Sequence, residues 1–364
     1  MKLIKTLIPF SEEYVPNEIV DREVEKLELK RFLKPLSENQ IQLYNLLVTG
    51  SVGVGKTLLT KFIIRELPSH AIYIKLTEVD NTFFRILNKL VIMTGAPLSV
   101  LGRYSNIAFM KFIHYLDEIG SAKQTSTLFV LDDFDKIPIK AIRPILHEIP
   151  RSTNWCNFLI ISRVPSVLEE LPADTKSTLK CRELPLKPYN KETLYQIVKE
   201  RAQLALKSPN AVDEKVLTGI AEASALSGSA REAIDILKTA CLLAENHEEE
   251  KVTLTHLEEA MAEIERRSIE ETISSLPIYH RLILQCCETF PQTYENVYKK
   301  WKSKLAEKNL KDLSIYRFRD FVADLRKLDL IRPDIKGHGR GRGFSYYLQL
   351  SPHIKKVDMK NSCW

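Results

Sequence analysis

Short apolar runs alternate with longer amphipathic stretches through the first half of the chain. LYNLLVT (43–49) is apolar and short, the pattern of a buried strand. A glycine-rich segment follows, then LLTKFIIREL, apolar at helical spacing and stopped by Pro68. AIYIKLT (71–77) alternates and predicts a second strand; helical periodicity fills 81–94 and 105–119. LFVLDD (128–133) and NFLIIS (157–162) predict two more buried strands with helical residues between them, and RELPL (182–186) a fifth. Strands alternating with helices predict an α/β domain, a parallel sheet covered on both faces. After Pro188 the pattern becomes helical. Helices are expected from Asn190 or Lys191 to about Leu206 and over 213–224, 229–246 and 255–274, with no strand signal. SSLP (274–277) marks a second boundary, beyond which helices over 278–289, 293–307 and 314–328 precede a basic, glycine-rich hairpin. The expected domains are therefore 1–188, 189–274 and 275–364.

The 364-residue length agrees with two or three domains. With 44% hydrophobic and 27% charged residues, the composition is that of an ordered globular protein. No apolar run approaches the ~20 residues that span a bilayer, and no secretory leader is expected from MKLIKTLIPFSEEY. The six cysteines are scattered, with no C-x-x-C, so free thiols in a reducing cytoplasm are expected. The eight histidines show no metal-ligand spacing, and HEEEK (247–251) reads as a solvated turn. Trp155 and Trp301 read as packing residues. Charge changes the picture more. Leu276–Trp364 holds 18 Lys and Arg against 9 Asp and Glu, so this end carries +9 and the rest of the +6 chain −3. A basic end on a slightly acidic body fits an anionic partner, or equally a solvated basic face.

The glycine-rich segment is GSVGVGKT (50–57), a match to G-x-x-x-x-G-K-[ST] between a strand and a helix. Glycines let backbone N–H groups curl around phosphate oxygens, and the following helix turns its positive end to the same place. Gly50, Gly53, Val54, Gly55, Lys56, Thr57 and Leu58 are the candidate contacts to ATP or ADP. Lys56 would neutralise the β and γ phosphates, and the Thr57 hydroxyl would ligate Mg²⁺. LFVLDD places Asp132 at a strand tip, where it would hold the same ion, and Asp133 where it would orient or activate water. An acidic turn capping the next helix is the plain alternative.

At the basic end, SIYRFRDFVADLRKLDLI has Ser314 as an expected N-cap and an apolar stripe of Ile315, Phe318, Phe321, Val322 and Leu325. Tyr316, Arg317 and Arg319 lie off that stripe, the layout of a recognition helix. In IRPDIKGHGRGRGFSYYLQL, glycines permit a tight turn decorated by Lys336, His338, Arg340 and Arg342. A basic turn beside such a helix predicts a DNA-binding winged helix, its arginines suited to a narrow minor groove.

Together these motifs resemble the AAA+ ATPases, and more narrowly the archaeal origin-recognition initiators related to eukaryotic Orc and Cdc proteins. YVPNEIVDREVEKLELKRFLKPL (14–36) is similar to the segment that borders the adenine in that family, which implies contacts from Val15, Pro16 and Arg22. GSAREAIDIL (228–237) resembles the lid helix whose arginine reaches the γ-phosphate, implying that role for Arg231. The resemblance covers nearly the whole chain. It implies an AAA+ domain, a helical lid and a winged helix that binds duplex origin DNA, with other initiator paralogues or a replicative helicase as further partners. It also implies a DNA-contacting insertion near PLSVLGRYSN (97–106), where Arg103 is the cation.

Three departures stand out. Asp133 replaces the usual Glu and is one methylene shorter. Arg163 in IISRVPSVLEEL stands where an asparagine orients water. In PADTKSTL the arginine given to a neighbouring subunit is replaced by Asp174, with Lys176 the only cation close by. They imply firm nucleotide binding with slow hydrolysis, nucleotide acting as a conformational switch. A regulatory ATPase whose winged helix binds protein is the alternative reading.

Overall fold

The computed structural model describes residues 3–38, 40–65, 71–79, 82–100, 105–287, 290–337, 344–352 and 354. Arg103, His338, Arg340 and Arg342 lie outside the described residues. The chain divides into two compact units, Met1–Leu257 and Glu258–Trp364.

In the first unit, helix α1 (Glu23–Ser37) precedes strand β1 (Asn45–Thr49), helix α2 (Lys56–Ile64) and strand β2 (Ala71–Lys75). Then come α3 (Phe83–Thr94), α4 (Ser105–Lys123), β3 (Thr127–Asp132), α5 (Ile139–Ser152), β4 (Cys156–Ile161), α6 (Ala173–Leu179) and β5 (Cys181–Pro185). The five strands form one sheet in the order β2-β3-β4-β1-β5, and all pairings are parallel. The period of two along each strand explains how the sheet is covered. Leu47, Phe129, Leu131, Phe158 and Ile160 face a core with α3, α4 and α5. Leu46, Val48, Leu128, Val130, Leu159 and Ile161 face the opposite core with α1 and α2.

The helical part follows with α7 (Lys191–Ala205), α8 (Glu214–Ala225) and α9 (Ala230–Asn246), packed on one another through residues such as Leu194, Val198, Ile220 and Leu237. The N-terminal residues, which show no element in the sequence pattern, are tied to this part. Lys5 N–H donates to the Ala205 carbonyl (2.8 Å), Ile4 N–H to Glu245 Oε1 (3.2 Å), and Leu3 accepts from Lys207 (3.2 Å). Leu3 and Ile4 are buried. Helix α10 (Leu254–Ser275) contains the division between the units.

In the second unit, α11 (Ile278–Cys286), α12 (Tyr294–Glu307) and α13 (Ile315–Lys327) pack with a three-stranded sheet of β6 (Gln292–Thr293), β7 (Ile331–Gly337) and β8 (Phe344–Leu350). The order β6-β8-β7 is antiparallel, a winged-helix arrangement. Helix α11 ends at Cys286, earlier than expected. Ser314 is the N-cap of α13 by backbone conformation, but its side chain makes no capping hydrogen bond. Among the described residues no helix is long and apolar enough to cross a membrane.

Candidate nucleotide site and basic groove

The carboxyl ends of β1, β3 and β4 are neighbours because the sheet order makes them so, and ligands of open α/β sheets bind at such ends. The loop leaving β1 is shaped by positive φ angles at Gly50 (146°), Gly53 (79°) and Gly55 (89°). Gly53 is also pressed against the helical part: a Cβ there would stand 1.9 Å from Ser229 Oγ. Ser229 is the N-cap of α9 and accepts from the Glu232 N–H at 3.2 Å, while the Ala230 N–H donates to the Gly53 carbonyl at 3.0 Å. The α9 N-terminus therefore docks directly on the loop.

Lys56 is 8% exposed, and its Nζ donates to the carbonyls of Gly50 and Ser51, both at 2.7 Å. Burial and the nearby charge of Arg163 lower its proton affinity, against the pull of Asp132, Asp135 and Asp133. The Thr57 hydroxyl donates to Asp132 Oδ2 at 2.8 Å. The two expected Mg²⁺ ligands, one from α2 and one from β3, are thus brought together by the fold. The same carboxylate accepts from the Tyr73 hydroxyl of β2, and burial together with that bond raises the phenol's pKa. Asp133 adopts a left-handed conformation (φ 56°), and its Oδ2 accepts from Thr77 Oγ1 at 3.2 Å. Hydroxyl and carboxylate oxygens are the hard donors that Mg²⁺ prefers, and the glycine-permitted loop is a fitting phosphate cradle.

Arg22 makes its polar contacts within the protein. It is 4% exposed, with Nη2 donating to the carbonyls of Val54 (3.2 Å) and Lys187, and Nη1 to Glu25 (3.1 Å). Its guanidinium lies 4.1 Å from the Tyr189 ring centroid. It is a strut joining the N-terminal segment, the phosphate loop and the exit from β5. Pro16 is buried and Val15 half-buried, whereas Val54 is fully buried and faces the core. Replacing Arg22 with Ala is expected to cost about 2–3 kcal/mol, because charge-assisted bonds and stacking are lost together. Urea unfolding with and without ADP checks this: an equal loss in both fits a strut, and a loss confined to the ADP-bound protein would mark a ligand contact.

Arg231 Nη2 pairs with Glu12 at 3.0 Å, both side chains being more than half exposed. Lys61 of α2 likewise pairs with Glu13. These two acidic residues of the N-terminal segment carried no sequence signal. Asp174 is met by Arg143 of α5 at 3.5 Å, so the cation beside it is Arg143, which comes from another helix and is invisible to a local reading that found only Lys176. The turn after α9 gathers His247, Glu249 and His256, with ligand atoms within 4.8 Å of one another, where the spacing had indicated no cluster. His256 Nδ1 accepts from the Thr253 N–H at 3.2 Å ahead of α10. Its Nε2 faces Glu249 at 3.7 Å.

In the second unit, α13 presents its cations unevenly. Phe318, Val322 and Leu325 are buried. Arg319, Arg326 and Lys327 line a groove of about 480 Å³ with Tyr294, Tyr346 and Tyr347, between the helix and strands β7 and β8. Arg317 falls on the other flank, 3.9 Å from Asp320, and Tyr316 is 72% exposed. The fold thus groups Arg319 with Arg326, Lys327 and the strand tyrosines, none of which the sequence reading had named beside it. Lys336 lies on β7.

Comparison with known proteins agrees with these features. Residues 195–262 match the Cdc6 AAA+ ATPase-type lid domain, and residues 42–163 match the AAA domain family. An ORC1-type DNA replication protein 1 of Sulfurisphaera tokodaii is 29% identical over 346 residues, covering 90% of this chain and 85% of that protein. An ORC1-type DNA replication protein of Thermococcus kodakarensis is 27% identical over 380 residues, covering 98% and 90%. In fold, the chain is similar to the Aeropyrum pernix ORC1 protein solved in complex with DNA, with a TM-score of 0.74 at 24% identity, covering 96% and 94% of the two chains.

Proposed function

The chain belongs to the Orc1/Cdc6 group of AAA+ ATPases, and from that premise we propose that it is a nucleotide-switched replication initiator acting on duplex origin DNA in the cytoplasm. The observation that carries the reading is the junction of the phosphate loop with the α9 N-terminus, where Ala230 bonds Gly53 and Gly53 has no room for a Cβ. A ligand seated in that loop must act on both parts at once. In the proposed division, residues 1–188 form the nucleotide domain, 189–274 the lid and 275–364 the winged helix.

Loop amides and Lys56 hold the phosphates of ATP or ADP, and Lys56 leaves the Gly50 and Ser51 carbonyls to do so. Thr57 and Asp132 hold Mg²⁺, which supplies charge neutralisation at the phosphates. Asp133 orients water. Arg231 exchanges Glu12 for the terminal phosphate, and that exchange loosens the N-terminal segment. Hydrolysis to ADP and phosphate is slow because Asp133 is short and Asp174 offers no cation to a neighbouring subunit.

The groove cations Arg319, Arg326 and Lys327 grip DNA phosphates, with Tyr316, Arg317, the β7 residue Lys336, and His338, Arg340 and Arg342 as further DNA contacts. Arg103 is a second contact from the nucleotide domain, and paralogues or a helicase are further partners. Fluorescence anisotropy on duplexes from the host's own origins, against scrambled duplexes over a salt series, tests this. The Arg319→Ala/Arg326→Ala/Lys327→Ala variant is expected to bind more weakly, with a salt slope flattened by about 0.9 for each phosphate it no longer neutralises. Equal binding and equal slope, or no binding by the parent, would assign the basic end to another partner.

A further inference from the structure

Helix α9 ends in a Schellman turn. Glu248 is left-handed (φ 58°), its N–H donates to the Glu245 carbonyl at 3.1 Å, and the Glu249 N–H donates to the Ala244 carbonyl at 2.9 Å. The chain is pinned again at Val252, whose N–H donates to the Ala211 carbonyl at 2.7 Å. This backbone brings His247 and Glu249, on either side of Glu248, up to His256 in the first turn of α10. His256 is the fixed member. It is 2% exposed, and its Nδ1 accepts from the Thr253 N–H at 3.2 Å, with Thr253 Oγ1 3.0 Å away. Nε2, on the far side of the ring, faces Glu249 Oε2 at 3.7 Å, and the His247 ring lies 5.4 Å from the His256 ring by centroids. Among the described residues this is the one place where three His, Cys, Asp or Glu side chains bring ligand atoms within 4.8 Å of one another. Three atoms that close lie within about 2.8 Å of a common point, and zinc bonds to nitrogen and oxygen are about 2.0–2.2 Å. Shifts of under about 1 Å make up the difference, and His247 and Glu249 are exposed, with room to make them.

We propose that this turn is a zinc site, with His247, Glu249 and His256 Nε2 as ligands and water in the fourth position. Two imidazoles and a carboxylate suit Zn²⁺, whereas Mg²⁺ and Ca²⁺ take oxygen ligands. Glu248 and Glu250 add negative charge beside the three. With metal on Nε2, Nδ1 carries the ring proton and donates to Thr253 Oγ1, the kind of hydrogen bond that orients metal-bound imidazoles. The Thr253 N–H gives up its acceptor in that exchange. The bound ion ties the end of α9 to the start of α10 through side chains, across a turn otherwise held by backbone bonds.

The test is calorimetric titration of the full chain, reduced and stripped of metal, with Zn²⁺. One ion is expected to bind this turn with a Kd of about 10 μM or tighter. His247→Ala and Glu249→Gln are each expected to weaken it by about tenfold or more. Both side chains are exposed, so both variants should melt as the parent does without zinc. His114→Ala removes another exposed histidine beside a glutamate, Glu118 at 3.1 Å, and is expected to leave the affinity unchanged. Co²⁺ reads the ligand type: the parent should show visible d–d bands without the near-ultraviolet band of a thiolate complex, and His247→Ala should lose them. Zinc binding that both turn variants retain, an equal loss in His114→Ala, or a thiolate spectrum would place the ion elsewhere and overturn the proposal. A parent that binds more weakly than this, or not at all, would leave His256 and Glu249 a simple polar pair and equally overturn it.

Discussion

Replacing Lys56 with Ala is expected to abolish the thermal stabilisation of the first unit by ADP. A ligand at a hundred times its dissociation constant stabilises the folded state by about 2.7 kcal/mol. At about 2–4 °C per kcal/mol for a domain of this size, the parent should gain about 5–10 °C. Lys56 is nearly buried and already sits on the loop's own carbonyls, so its charge has one place to act, the phosphates in that loop. The variant should bind ADP at least about a hundredfold more weakly, which is the same 2.7 kcal/mol. Differential scanning fluorimetry with and without ADP reads the result. The same variant tests the slow-switch reading, since phosphate release by the parent is expected to fall below about 1 per second, the low end of ordinary turnover. A variant that keeps the full ADP shift would remove Lys56 from the phosphate site. Fast release by the parent that Lys56→Ala abolishes would reject the slow switch.

Replacing Trp301 with Ala is expected to cost the second unit about 3–5 kcal/mol, the range for deleting a buried large aromatic. Trp301 is fully buried, and its Nε1 donates to the Tyr279 carbonyl at 3.2 Å. Its ring lies 5.1 Å from Phe318 of α13 and 6.1 Å from Tyr298 by centroids. It ties α12 to α11 and to the basic helix, so its loss should displace the groove as well as destabilise it. A domain's whole stability is about 5–15 kcal/mol, so this transition should move down by more than about 12 °C at 4–8 °C per kcal/mol. Calorimetry should show one lowered transition, with ADP binding by the first unit kept. An unchanged transition together with weakened DNA binding would instead make Trp301 a surface for bases.

Much of the fold is legible because its signals are local. Burial on both faces makes Asn45–Thr49, Thr127–Asp132 and Cys156–Ile161 near-continuous apolar runs. Amphipathic spacing marks α7 to α10 within a residue or two of their ends. The phosphate loop is legible for a similar reason: backbone geometry demands glycine at fixed offsets, and charge demands Lys56. The N-terminal segment was opaque, since Leu3, Ile4, Glu12 and Glu13 act through partners roughly fifty to more than two hundred residues away.

The sequence by itself determined the five strands of the parallel sheet, the helices α7 to α10, the loop at Gly50–Thr57, the acidic tip at Asp132 and the basic C-terminal end. Each depends on hydrophobic period, glycine or charge within a few neighbouring residues. Only the tertiary structure decided that Arg22 bonds the Val54 and Lys187 carbonyls, that Asp135 holds Arg163, and that Arg319 shares a groove with Arg326 and Lys327. Those roles come from strand order and helix packing, which set residues far apart in the chain within a few ångströms of each other, where hydrogen bonds and charges act.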